Sequence, residues 1–169
     1  VAVKNAVNLR PNIRIQKIII IGSGETAELT ARHFIDSGAQ HITISNRTEE
    51  RGRNLAKHLN ADYVAIDELM GMLKDLDIIV TATSSMQHLI KSSDVQSILS
   101  DHSQKEILFI DISRPRNVDP TVQNINGITL IDIDGLKGAG MEISSEQKGS
   151  IALAEKLVQQ YVIRHYENW

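Results

Sequence analysis

The stretch Lys17-Ile18-Ile19-Ile20-Ile21-Gly22-Ser23-Gly24-Glu25-Thr26-Ala27 decides the fold. Its four consecutive isoleucines read as a strand buried on both faces, because a half-exposed strand would alternate apolar with polar residues. The helical pattern that opens at Glu25 and runs to Asp36 carries Ala27, Ala31, Phe34 and Ile35 on its apolar face, with Gly38 just past its end. Between strand and helix lies a GxGxxA turn. Gly22 permits the tight bend, Gly24 lets the backbone approach a diphosphate, and Ala27 is small enough for the helix to pack closely on the strand. The start of such a helix offers free N–H groups and a partial positive charge to an anion.

Outward from this unit, strands and helices alternate. Residues 41–45 read as a second strand, and Thr48 as the N-cap of a helix to about His58, with Leu55 and Leu59 facing inward. Residues 62–66 form a third strand, and Asp67 caps a helix to about Leu73. Residues 77–81 are strand four, Ser92 or Ser93 caps a helix to Leu99, and residues 106–111 and 128–133 are strands five and six. This order, with right-handed crossovers, predicts an α/β doubly wound parallel sheet of the Rossmann type. Residues 2–9 add a short helix stopped by Pro11. At the other end, Ile151, Ala154, Leu157, Val158, Tyr161 and Val162 predict an amphipathic C-terminal helix over 150–169. The predicted division is a helical lead-in at 1–14, the doubly wound domain at 15–136, and a loop and helix at 137–169 leading toward a further domain.

Composition narrows the functional classes. The 169 residues carry 18 Lys+Arg and 21 Asp+Glu, a net charge of −3, which argues against a main role in holding nucleic acid. With 0 cysteines the chain has no disulfide framework, no thiolate metal site and no thiol nucleophile of its own. The six histidines show no pair at metal-ligand spacing, so no metal site is expected. No apolar run is long enough to span a membrane and no signal peptide is legible, so a cytoplasmic protein is expected. The first residue is Val1 and not Met, which suggests a processed product or a piece of a longer protein.

The second strand decides which dinucleotide the turn would take. An NAD site carries an acidic residue about 20 positions after the glycines, on the ribose 2′-hydroxyl. Here Ser45-Asn46-Arg47-Thr48 stands there, Asn46 lies 24 positions after Gly22, and no carboxylate precedes Glu49. A guanidinium at Arg47 can pair with a 2′-phosphate, with Ser45, Asn46 and Thr48 as neutral partners, so NADPH is expected over NADH. The candidate cofactor-binding set is Gly22, Ser23, Gly24, Glu25, Thr26 and Ala27 with this second-strand tetrad. Thr81, Ala82, Thr83 and Ser84 join it after strand four, and Asp111 and Ser113 after strand five, at the carboxyl edge where open α/β sheets bind ligands. Arg114 and Arg116 either pair with Asp111 and Asp119 or contact substrate. No catalytic residue is assigned.

Three segments in this order resemble the NADPH-binding domain of glutamyl-tRNA reductase. They are Ile20 to Leu29 with Ser45-Asn46-Arg47-Thr48; Asp111-Ile112-Ser113-Arg114-Pro115-Arg116-Asn117-Val118-Asp119-Pro120; and Asp132-Ile133-Asp134-Gly135-Leu136. The resemblance covers approximately residues 17–136. It implies reduction of glutamyl-tRNA to glutamate-1-semialdehyde in tetrapyrrole (porphyrin, heme) biosynthesis. A cysteine in a separate domain would form a thioester and NADPH would supply the hydride. It further implies that glutamyl-tRNA is met through domains not in this chain, that the whole protein is a homodimer, and that this piece alone is monomeric and inactive. Two other readings stay open. One is the cofactor domain of a shikimate-dehydrogenase-like NADP oxidoreductase, against which the segment from Asp111 to Pro120 favours the reductase. The other is a non-catalytic NAD(P)-binding redox sensor signalling through its last helix.

Overall fold

The computed structural model describes residues 1–100 and 105–135. The chain divides into a unit Val1–Leu136 and a unit Lys137–Trp169. The expected C-terminal loop and helix lie outside the described residues.

Within the first unit the order is α1 (Ala2–Leu9), β1 (Lys17–Ile21), α2 (Glu25–Asp36), β2 (His41–Asn46), α3 (Glu49–Leu59) and β3 (Asp62–Ala65). It continues with α4 (Leu69–Met72), β4 (Ile78–Thr81), α5 (Ser92–Leu99), β5 (Ile107–Asp111) and β6 (Ile128–Asp132). The six strands form one sheet in the order β3-β2-β1-β4-β5-β6, with every neighbouring pair parallel. This is the expected doubly wound, Rossmann-type fold. The chain leaves β1 in one direction and returns on its other side at β4, so the loops after these two strands part and leave a crevice between them.

Parallel strands covered on both sides explain the isoleucine run. Ile18 and Ile20 face a core with Ala27, Ala31 and Phe34 of α2 and Leu55 and Leu59 of α3. Ile19 and Ile21 face a second core with Leu69, Leu73, Val95 and Phe109. All four isoleucines are at most 1% exposed. The lead-in helix α1 inserts Val3 and Ala6 into the first core, so it packs with the sheet.

Several local expectations change. Ile35 was placed on the apolar face of α2 but is exposed; the inward stripe is Ala27, Thr30, Ala31 and Phe34, whose spacing leaves position 35 at its edge. The continuous helix expected from Asp67 is instead three short pieces, a 3₁₀ turn Ile66–Glu68, α4, and a 3₁₀ turn Leu73–Asp75. Gly71 and the lack of a capped start account for it. Neither Ser92 nor Ser93 is the N-cap of α5; that position is Lys91, without a side-chain cap. Thr48 does occupy the N-cap of α3, but its side chain makes no capping bond. Strands two to six start or stop within one residue of expectation.

Candidate functional site

The carboxyl ends of the strands bring the expected residues to one edge. Ile21 stands in register with Ser45 on one side and Thr81 on the other, and Thr81 with Asp111. The ladder continues one step past the strands: Gly22 N–H donates to Ser45 O at 2.8 Å, Ala82 N–H to Ile21 O at 2.8 Å, and Ile112 N–H to Thr81 O at 3.0 Å. The four loops thus emerge side by side.

The glycine turn has the shape a diphosphate needs. Gly22 has φ +131°, and a Cβ there would stand 2.2 Å from Ala82 O, so only glycine fits between the diverging loops. Gly24 is extended at φ −82°, and a Cβ there would meet nothing within 4 Å. That open space lies at the start of α2, where the first N–H groups of a helix have no partner within it. The residues present fit a phosphate group held by backbone donors. Glu25 and Thr26 direct part of their surface into a groove of about 630 Å³ between α1 and α2. Their contribution to an anion at this turn is therefore their backbone N–H, while Ala27 is buried beneath.

At the end of β2, the Asn46 side-chain amide donates to Thr48 O at 2.9 Å and closes the turn. Gly52 lets Tyr63 and Asn46 close on α3, since a Cβ there would lie 2.6 Å from Tyr63 Cε2 and 3.1 Å from Asn46 Cβ. Arg53 is engaged, pairing with Glu49 at 2.7 Å and lying 4.6 Å above the Tyr63 ring. Arg47 and Arg51 are exposed and unpaired among the described residues. Arg51 was not singled out by sequence; its position four residues after Arg47, in the first turn of α3, was the available signal. Ser45 is buried, and its hydroxyl has no hydrogen-bond partner.

The loops after β4 and β5 are tied together by a buried polar network. Asp111, 1% exposed, accepts from Thr81 Oγ1 (2.8 Å) and Ser113 N (3.0 Å) at one oxygen, and from Asn117 N (2.8 Å) and Val118 N (2.9 Å) at the other. Thr83 N–H donates to Ser113 Oγ at 3.0 Å. Thr81, Asp111 and Ser113 were expected among the cofactor contacts; their side chains are buried and engaged with the loops, while Ser84 is exposed at the rim. The suggested pairing of Arg114 and Arg116 with Asp111 and Asp119 does not occur. Arg116 instead donates to Asp132 and Asp134, because Asp132 ends β6 in register with Asp111 and is the nearer acid outside the loop.

Asp119 begins the 3₁₀ turn Pro120–Asn124 and accepts from Thr121 N (2.9 Å) and Thr121 Oγ1 (2.7 Å). These bonds hold its carboxyl below the ordinary carboxylate range, outweighing the opposing effect of burial; a weaker bond from Ser92 N and the nearby His88 add to the lowering. A carboxyl lowered in the folded state stabilises it above the unfolded value near 3.8 and loses that contribution as pH falls through the folded value. Asp119→Asn should therefore cost a constant difference in melting temperature from pH 7 down to about 5, shrinking steadily in more acid buffer. Thermal melts of both proteins across that range check it; a difference that grows in acid would refute it.

Among the described residues no cluster of metal-ligating side chains occurs, and no helix is long and apolar enough to cross a membrane.

Comparison with known proteins agrees with this geometry. The family model described as shikimate / quinate 5-dehydrogenase matches residues 4–139. The glutamyl-tRNA reductase of Desulfovibrio desulfuricans is 33% identical over 168 residues, covering 99% of this chain and 39% of that protein. That of Oleidesulfovibrio alaskensis is 37% identical over 142 residues, covering 84% of this chain and 32% of its own length. The solved glutamyl-tRNA reductase from Methanopyrus kandleri superposes with a TM-score of 0.78 at 30% identity, covering 99% of this chain and 42% of that one. The chain thus spans about two fifths of the relatives it matches. By the family match over most of its length, the chain belongs to the shikimate/quinate 5-dehydrogenase family, and the curated relatives it resembles there are glutamyl-tRNA reductases.

Proposed function

We propose that the chain is the NADPH-binding domain of a glutamyl-tRNA reductase. The observation that carries the reading is the pairing of two features at one crevice. One is the open backbone cradle at Gly24. The other is the pair of uncommitted guanidiniums, Arg47 and Arg51, beyond β2, where an NAD site would present an acid. The N–H groups at the start of α2 hold the diphosphate, and Gly22 keeps the loop clear of Ala82. Arg47 and Arg51 take the 2′-phosphate, Arg47 by its position beside Asn46 and Arg51 from the first turn of α3. The backbone of Ala82, Thr83 and Ser84, with the Asp111 loop, beds the nicotinamide half. Bound there, NADPH supplies hydride to an acyl group. With 0 cysteines, this chain does not itself capture that group as a thioester, so glutamyl-tRNA and the nucleophile come from other parts of the protein.

The family match favours a second reading, a cofactor domain for a shikimate or quinate dehydrogenase. The 33% and 37% identities to glutamyl-tRNA reductases support the first reading more strongly.

Calorimetric titration of the chain with NADPH and NADH tests the cofactor assignment. Arg47→Ala should weaken NADPH by about tenfold or more while leaving NADH within about twofold, because the removed guanidinium faces only the 2′-phosphate. NADH bound as tightly as NADPH by the unaltered chain would defeat the assignment. Turnover of glutamyl-tRNA by the chain alone would contradict the division of labour.

A further inference from the structure

Asn117 is fully buried and uses every polar atom it has. Its backbone N–H donates to Asp111, and its carbonyl accepts from Leu89 N (2.8 Å) and Ile90 N (3.1 Å). Its side-chain oxygen accepts from Thr83 Oγ1, and its side-chain nitrogen donates to Ser85 O (2.9 Å), Gln87 O (3.3 Å) and Pro115 O (3.3 Å). These partners lie on both loops that border the far half of the crevice, the one after β4 and the one after β5. A buried side chain joining two irregular loops does more than fill space. Loop backbone has no ladder to satisfy it, and here one amide serves three carbonyls and a hydroxyl.

We propose that Asn117 is a positioning residue for the nicotinamide half of the coenzyme. It acts through the loop of residues 83–87 and does not touch the ligand. The inference rests on the cofactor reading above. The glycine turn and Arg47 lie on the other side of the crevice and share no bond with Asn117, so the adenosine half is outside its reach. A group that merely stabilised the fold would affect both halves alike. Thr83 belongs to the same device, since its hydroxyl donates to Asn117 and accepts from Ser85 N at 2.9 Å.

The test uses the full chain with two variants, Asn117→Asp and Thr83→Val, each titrated with NADPH and with 2′,5′-ADP as the adenosine half. Asn117→Asp keeps the shape and the acceptor but loses the donors to Ser85, Gln87 and Pro115. Thr83→Val removes the hydroxyl from a half-buried site and tests the same link if the first variant does not fold. The expected result is a loss of about tenfold in NADPH affinity with 2′,5′-ADP unchanged within about twofold. Equal losses for both ligands, or no loss of NADPH affinity in a folded variant, would overturn the positioning role. If the unaltered chain binds neither ligand, the cofactor reading itself fails and takes this inference with it.

Discussion

Gly22→Ala is expected to lower the free energy of unfolding by about 3 kcal/mol and to abolish coenzyme binding. Two independent penalties combine at this position. The backbone sits at φ +131°, which side chains rarely adopt, and the new Cβ would stand 2.2 Å from Ala82 O, a backbone atom that cannot swing away. Relief requires the loop after β1 to part from the loop after β4, and that movement deforms the diphosphate cradle. Urea unfolding followed by circular dichroism reads the first effect and NADPH titration the second. Gly24→Ala is the informative contrast. Its backbone is ordinary and its Cβ meets nothing within 4 Å, so stability should fall by less than about 1 kcal/mol. Coenzyme affinity should nevertheless drop, because the methyl group enters the space assigned to the diphosphate. A Gly24→Ala chain that binds NADPH normally would place the diphosphate elsewhere.

Asp111→Ala should be the most destabilising polar substitution among the described residues, at about 3–5 kcal/mol. Four donors converge on this carboxylate, and removing it leaves three backbone N–H groups and the Thr81 hydroxyl without their acceptor at a site 1% exposed. Asp111→Asn should cost less, since one oxygen survives, although its new NH2 must face two of the donors. Thr81→Val removes a single bond and should cost about 1 kcal/mol. The graded order Ala above Asn above the Thr81 variant, read from urea midpoints, separates a network centred on Asp111 from simple loss of volume. Equal costs for the three would argue against it.

The sheet was legible because its signals are local and redundant. The isoleucines of β1, the glycine turn and the small Ala27 all require the same strand-turn-helix unit, and repeated strand-helix alternation leaves few topologies. What sequence misread depended on partners distant in the chain. Nothing near Arg116 announces Asp132 and Asp134; they become its acids only when β6 lies beside β5. Asp111 and Thr81 look like ligand contacts at strand ends, yet register makes them neighbours, and they bond to each other. Asn117 was quoted only as part of a segment and not singled out, because its importance lies in seven bonds that exist only once both loops are folded. Arg51 was overlooked for the opposite reason. An exposed arginine in a charged helix start is ordinary until Arg53 proves to be occupied by Glu49 and Tyr63 while Arg51 is not. Asp67 misled because a good capping residue does not make a helix when Gly71 interrupts the run that follows it.

A crystal structure of the chain grown with excess NADPH tests the central claim most directly. The expected density shows the diphosphate against the backbone of residues 22–27, with the 2′-phosphate between the Arg47 and Arg51 guanidiniums. Coenzyme absent from the crevice, or bound with its 2′-phosphate away from both arginines, would contradict the assignment.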